Sequence, residues 1–203
     1  MDRKSLNIVS KRIKWMFIVL ALALTFIIST QSVFAAEWMS GNYRWQNGTQ
    51  LRTYRNFLTG DYYDWVGPSI TDWNLALGKC GPSNNVRFVL SSVRYSNKSV
   101  SLYQGNHGDC GWVGLMTPVG GWTVSGMYII DANCEIELNT YTGPGYNWNT
   151  SRRRETVAHE MGHTLYLGDV STGSKKRLMW HQVGTGLTAP AQLDFDALQM
   201  RYY

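Results

Sequence analysis

The sequence predicts an α+β domain, and three observations lead there. Short runs rich in β-branched and aromatic residues recur at 50–58, 85–93 and 127–141. Two amphipathic segments, at 67–81 and 188–203, carry apolar residues at helical spacing, and a histidine motif between them needs a third helix. Helices and strands do not alternate regularly, and no repeat or linker divides residues 37–203. One small sheet with helices packed on it satisfies all three.

The elements follow in order. "QLRTYRNFL" (50–58) mixes β-branched, aromatic and polar residues like a half-buried strand. "GPSITDWNLALGKCG" (67–81) reads as a helix crossing the sheet. Pro68 suits its first turn, Ile70, Trp73 and Leu77 share a face, and Gly78 with Gly81 closes it. "NVRFVLSSV" (85–93) is a second strand. "GDCGWVGLMTPVGGW" (108–122) holds too much glycine for a long element, although "WVGLMT" suits a short strand. "MYIIDANCEIELNTY" (127–141) divides into one strand before Asp131 and another over Cys134–Asn139. In the second, Cys134, Ile136 and Leu138 alternate with two glutamates, the pattern of an exposed or edge strand.

A turn-forming run, "TGPGYNWNTS" (142–151), precedes the motif helix, with Thr150 or Ser151 as its cap. Arg152, Arg153 and Arg154 oppose the helix dipole in the first turn and read as solvated side chains. The loop after residue 170 contains "RLMWHQVGTG" (177–186), and the closing helix places Leu193, Ala197 and Met200 on one face.

The amino terminus stands apart. Residues 1–14 carry five basic residues and one acid, an apolar run from Trp15 to Ile28 follows, and "SVFAAEW" offers a small-residue exit before Ala36. That is the pattern of a secretory signal peptide, residues 1–35, ahead of a domain spanning 36–203. The apolar run is shorter than the ~20 residues a membrane-spanning helix needs, so no stable anchor is expected once the signal is removed. Removing the signal takes most of the formal +5 charge with it. The charge balance therefore gives no argument for nucleic acid or anionic membrane as a partner. A secreted monomer is expected. Cys80, Cys110 and Cys134 suggest one disulfide and one leftover thiol, with Cys110–Cys134 the preferred pair.

The chemistry concentrates in "VAHEMGHTLYLGDV" (157–170). Positions i and i+4 of a helix lie one turn apart on one face, so His159 and His163 can aim both imidazoles at a single zinc ion. Glu160 sits beside them, placed to move a proton rather than to bind the metal. A catalytic zinc needs a third protein ligand. No glutamate follows Glu160, and Asp194 and Asp196 fall in the closing helix. Asp169, on a chain that leaves the helix and doubles back, is the first candidate, and His181 the second. His181 has an alternative role as a group facing a developing oxyanion. Calcium is a further candidate cation, with Asp109, Asp131 and Asn133 as loop oxygens.

"HEMGHTLYLGD" resembles the extended metzincin motif H-E-x-x-H-x-x-G-x-x-H/D, in the aspartate form of snapalysin-like bacterial enzymes. "RLMW" is similar to the metzincin Met-turn, which maps to Met179, and "QLDFDALQMRYY" resembles the closing helix of matrixins. "CEIELNT" resembles their edge strand. The resemblance implies a small, mostly parallel twisted sheet with an antiparallel edge strand, and a secreted zinc endopeptidase acting on proteins or peptides. Two departures stand out: Tyr166 replaces the motif's glycine, and an aspartate replaces the final histidine. A carboxylate ligand acidifies bound water less than a third imidazole, so a higher pH optimum is expected. A metzincin-shaped binding protein with little activity and a metal-dependent amidase of cell-wall peptides are the alternative readings.

Overall fold

The computed structural model describes residues 43–82, 84–143 and 149–203. The expected export signal, residues 1–35, and the middle of the run 142–151 lie outside the described residues.

Six strands form one sheet: β1 (Arg44–Trp45), β2 (Gln50–Phe57), β3 (Arg87–Ser91), β4 (Ser99–Gly105), β5 (Gly114–Ser125) and β6 (Tyr128–Asn139). They lie in the order β3-β2-β4-β6-β5, with β1 paired to the first residues of β6. Every pairing is parallel except β5 on β6. Three helices among the described residues accompany the sheet: α1 (Gly60–Gly78), α2 (Thr150–Thr164) and α3 (Gln192–Tyr202). The architecture is α+β, a mostly parallel sheet with an antiparallel edge strand.

The period of two along each strand decides which face is covered. Leu51 and Thr53, Val100 and Leu102, and Cys134, Ile136 and Leu138 are all fully buried. Their neighbours Arg52, Tyr54, Tyr103, Glu135 and Glu137 are half-buried on the other face. On α1 the buried residues Tyr62, Val66, Ile70, Trp73 and Leu77 step by three or four and make one stripe. That helix packs on α2, and the Trp73 indole N–H donates to the Ala158 carbonyl at 2.8 Å.

Pro68 does not start α1; it stands inside it, and the helix begins at Gly60. An interior proline costs about 3 kcal/mol. Against that, each fully buried apolar side chain contributes about 1.5–3 kcal/mol, and Tyr62 and Val66 extend the buried stripe before the proline. The Tyr62 hydroxyl also donates to the Asn139 carbonyl at 3.0 Å.

The sheet corrects three further expectations. Residues 128–139 form one strand, not two, and β6 is interior, paired with both β4 and β5. Its glutamates face the side that no helix covers: Glu135 takes a 2.6 Å ion pair from Arg94, and Glu137 lies 3.3 Å from His107. The edge strand is β5, twelve residues long despite its glycines. Gly120 and Gly121 sit at positive φ, where the β5–β6 register shifts, so the glycines make a bulge rather than end the strand. Strand β4 is not among the expected strands, although Val100 and Leu102 alternate with Ser99 and Ser101.

On α2 the cap is Asn149, whose side chain accepts from Arg152 N at 2.9 Å, not Thr150 or Ser151. Arg153 and Arg154 are not merely solvated. Each forms a 3.0 Å ion pair with α1, to Asp61 and Asp72 respectively. On α3 the buried positions are Asp194, Ala197, Leu198, Arg201 and Tyr202, while Met200 is exposed.

The expected Cys110–Cys134 bridge does not form, and all three cysteines are free. Cys134 is buried in the β6 row that faces the core, whereas Cys110 lies exposed on the loop after β4. Burial pushes the Cys80 thiol up to about 11 and the Cys134 thiol up to about 12, so neither is a ready nucleophile. No helix of the described residues is long and apolar enough to cross a membrane.

Candidate metal centre

Helix α2 is buried without interruption from Glu155 to Thr164. Such a helix would ordinarily be apolar all round; here its polar groups are matched to partners. His159 and His163 stand one turn apart with ring centroids 4.8 Å apart and planes at 88°. The Nδ1 of His159 lies 2.8 Å from the Leu178 carbonyl, and that of His163 lies 2.7 Å from the Leu167 carbonyl. A carbonyl only accepts, so both Nδ1 atoms donate. That leaves both Nε2 atoms directed toward one point, where a bound metal would take the place of any proton they carry.

The helix then ends in a Schellman motif. Tyr166 N donates to the His163 carbonyl at 2.9 Å, and Leu167 N to the Gly162 carbonyl at 3.3 Å. The residue between them needs a left-handed conformation, and Tyr166 takes it, with φ +69°. Gly168 does not move the turn; the tyrosine itself accepts the strain. Its ring is buried and meets Tyr43 and Trp122 edge-on, with the Arg201 guanidinium 5.4 Å from its centroid. Two more aromatic residues satisfy the helix's final carbonyls. The Trp45 indole N–H donates to Thr164 at 2.7 Å, and the Tyr202 hydroxyl donates to Leu165 at 3.3 Å.

This turn brings Asp169 back. Its Oδ1 lies 3.0 Å from His159 Nε2 and 3.7 Å from His163 Nε2. Ligands at zinc–nitrogen and zinc–oxygen bond lengths on a tetrahedron stand about 3.3 Å apart, so the two observed separations bracket the spacing zinc requires. Burial alone would lower the His159 pKa. The hydrogen bond to Asp169, the Glu160 charge and the Leu178 carbonyl outweigh it and hold the imidazolium up to about 9. Burial works against the Asp169 carboxylate in turn, yet the bond from His159 and the positive fields of His163, His159 and His181 lower its pKa.

Glu160 is 4 % exposed, with Oε2 4.0 Å from His163 Nε2. It packs against the first residue of β5, where a side chain on Gly114 would come within 2.7 Å of its Cγ and Oε1. Among the described residues, His159, Glu160 and His163 form the group of side chains able to hold a metal ion, their ligand atoms within 4.8 Å of one another. Asp131 and Asn133, expected as loop oxygens for calcium, lie in β6 and are engaged by Lys98 N and the Ser99 hydroxyl.

Met179 lies against Gly162, the residue before His163, and the backbone around it is held from α3. The Asp194 carboxylate accepts from Leu178 N at 2.7 Å, Met179 N at 3.1 Å and Ala191 N at 2.8 Å. Asp194, set aside in the sequence as too distant, thus fixes the carbonyl that orients His159. Its signal was invisible because it acts on backbone, not on another side chain. Gly114 was missed for a similar reason: a glycine records the room it leaves only when its neighbour is known.

His181 is exposed on the same cleft, with Nδ1 3.4 Å from the Val170 carbonyl. Residues 170 and 180 form a short parallel bridge that sets this segment beside Asp169. The cleft encloses about 710 Å³ between the start of β5, α2 and the loop 180–183, with Trp112, Leu115, Met116 and Val183 among its walls.

No protein-family model and no curated protein matches the chain. Among solved structures, that of myroilysin aligns with 81% of this chain and 88% of its own, at 11% identity and a TM-score of 0.46. A likeness at that level carries no argument about activity.

Proposed function

We propose that the chain is an exported zinc endopeptidase of the metzincin type. One observation supports this above the others: His159, His163 and Asp169 converge on one point, with both Nδ1 atoms tied off and a buried carboxylate alongside. Two imidazoles and one carboxylate with an open side suit catalytic zinc. Zinc held by these three residues would supply Lewis acidity, making water a nucleophile near neutral pH and polarising a peptide carbonyl.

The protein's own groups do the rest. Glu160 takes the proton from the attacking water and returns it to the leaving amine as the peptide bond breaks. Its near-complete burial keeps the carboxylate dehydrated and close to the reaction. The cleft walls are to hold an extended peptide, and their mixture of apolar side chains with a few polar groups suits protein or peptide substrates. His181, opening onto the same cleft, is placed to face the carbonyl oxygen rather than to complete the ligand set.

The test is cleavage of casein and of quenched peptides by the secreted protein. Activity is expected to vanish with a chelator, return with zinc, and fall by at least about a thousandfold in Glu160→Ala with zinc still bound. Full activity in that variant would reject the mechanism.

A further inference from the structure

Glu155 takes no part in the chemistry above, although it is 2 % exposed and stands one turn before His159. Glu155, His159 and His163 occupy positions i, i+4 and i+8, one stripe of α2. The Glu155 carboxylate spends itself on the far loop. Gly184 N lies 3.0 Å from each of its oxygens, Thr185 N donates at 2.9 Å, and the Thr185 hydroxyl at 2.6 Å. Gly184 has φ +105°, which lets two successive N–H groups converge on one anion. The loop forms an anion-binding nest, and the anion is a side chain of α2.

The same stripe holds the other end of this segment, because His159 Nδ1 donates to the Leu178 carbonyl. Residues 178–185 are therefore tied to α2 at both ends, and the near part, through His181, is also held by Asp194 and by the bridge to Val170. Gln182 and Val183, which line the cleft, lie between that held part and the far anchor. The near anchor is shared with a metal ligand; the far one depends on Glu155.

We propose that Glu155 is a positioning residue for substrate selectivity. By clamping Gly184 and Thr185 it fixes the shape of the cleft wall, and so decides which side chain beside the scissile bond is accepted. Losing it releases Gln182 and Val183 and leaves the hydrolytic groups in place, His181 included, since the Val170 carbonyl holds its N–H. The substrate half of this inference rests on the peptidase reading; the clamp itself does not.

The experiment uses zinc-loaded protein with Glu155→Ala, Glu155→Gln and, from the loop side, Gly184→Ala. Without substrate, hydrogen exchange of amides 182–187 should accelerate by about tenfold in Glu155→Ala, while amides 157–165 keep their protection. With peptides differing only in the residue after the scissile bond, discrimination should flatten by about fivefold through KM, with kcat within about threefold and zinc content unchanged. Gly184→Ala, which keeps the carboxylate but distorts the nest, should act the same way. Unchanged exchange across 182–187 would overturn the clamp. An equal fall in kcat for every peptide, with KM ratios preserved, would overturn the selectivity role. A parent protein that cleaves no peptide would reject the peptidase reading alone, and the exchange result would still decide the clamp. Should Glu155→Ala fail to fold, the other two variants carry the same readouts.

Discussion

Met179 fills the space that a side chain on Gly162 would need. Its sulfur and the Trp73 ring both lie where a Cβ would go, so Met179 and α1 press on the backbone of α2 at the residue before His163. Overpacking of this kind costs about 1–3 kcal/mol. Gly162→Ala should lower stability in urea by that amount even though alanine favours helix. It should also weaken zinc binding, read by competition with a chromophoric chelator. An unchanged affinity would mean that Met179 can shift without disturbing His159.

The pair His159–Asp169 makes the chelated protein sensitive to pH. His159 is held at about 9 against an ordinary value of 6.5. A raised folded value contributes stability that is complete below about 6.5 and lost as pH rises through about 9. Asp169 is lowered, so its share is present above the ordinary 3.8 and lost as pH falls through its folded value. Melting temperature in chelator should therefore fall steadily from pH 6.5 to 9. Zinc, which competes with the proton on His159, should remove that slope. A flat chelated profile would contradict the pair, and Asp169→Asn should flatten it deliberately.

Tyr166 sets two effects of opposite sign against each other. Replacing it by glycine relieves the left-handed strain, worth about 1 kcal/mol. It also deletes a buried aromatic ring, typically costing about 3–5 kcal/mol. The ring should win: Tyr166→Gly is expected to be less stable and to bind zinc less tightly. Tyr166→Ala should be worse still by about 1 kcal/mol, since it loses the ring and keeps the strain. Denaturation of the three proteins orders them, and glycine above tyrosine would be the contrary result.

Gly114 leaves the room Glu160 occupies. Gly114→Ala should push the carboxylate aside and lower kcat by at least about tenfold, with zinc content little changed; because it also crowds the buried Thr156 side chain, it should cost about 1–3 kcal/mol of stability. A normal kcat would show that Glu160 tolerates displacement.

What the sequence revealed and what it concealed divide along physical lines. The spacing of His159, Glu160 and His163 is local to one helix, and helical geometry translates it directly into a site. Asp169 was reachable by elimination because acids and histidines are few. Three things depended on tertiary context. Pro68 looks like a helix start locally, yet the buried stripe through Tyr62 and Val66 carries the helix past it. The glutamates of β6 mimic an exposed edge, because an open sheet face and an open sheet edge both present polar residues every second position. Glu155 and Asp194 look like ordinary helix-surface acids, since each binds the backbone of a loop outside its own helix, Glu155 one that follows and Asp194 one that precedes.

The left-handed turn after α2 carries a consequence for how such sites are sought. The motif's glycine stands for a dihedral angle, not for an amino acid. Here a tyrosine meets the same angle, held by side chains from both ends of the described domain, Tyr43 and Trp45 near its start and Arg201 and Tyr202 near its finish. A pattern that insists on glycine would pass over this chain. A pattern that allowed any residue there, and asked instead for aromatic support from distant segments, would include it.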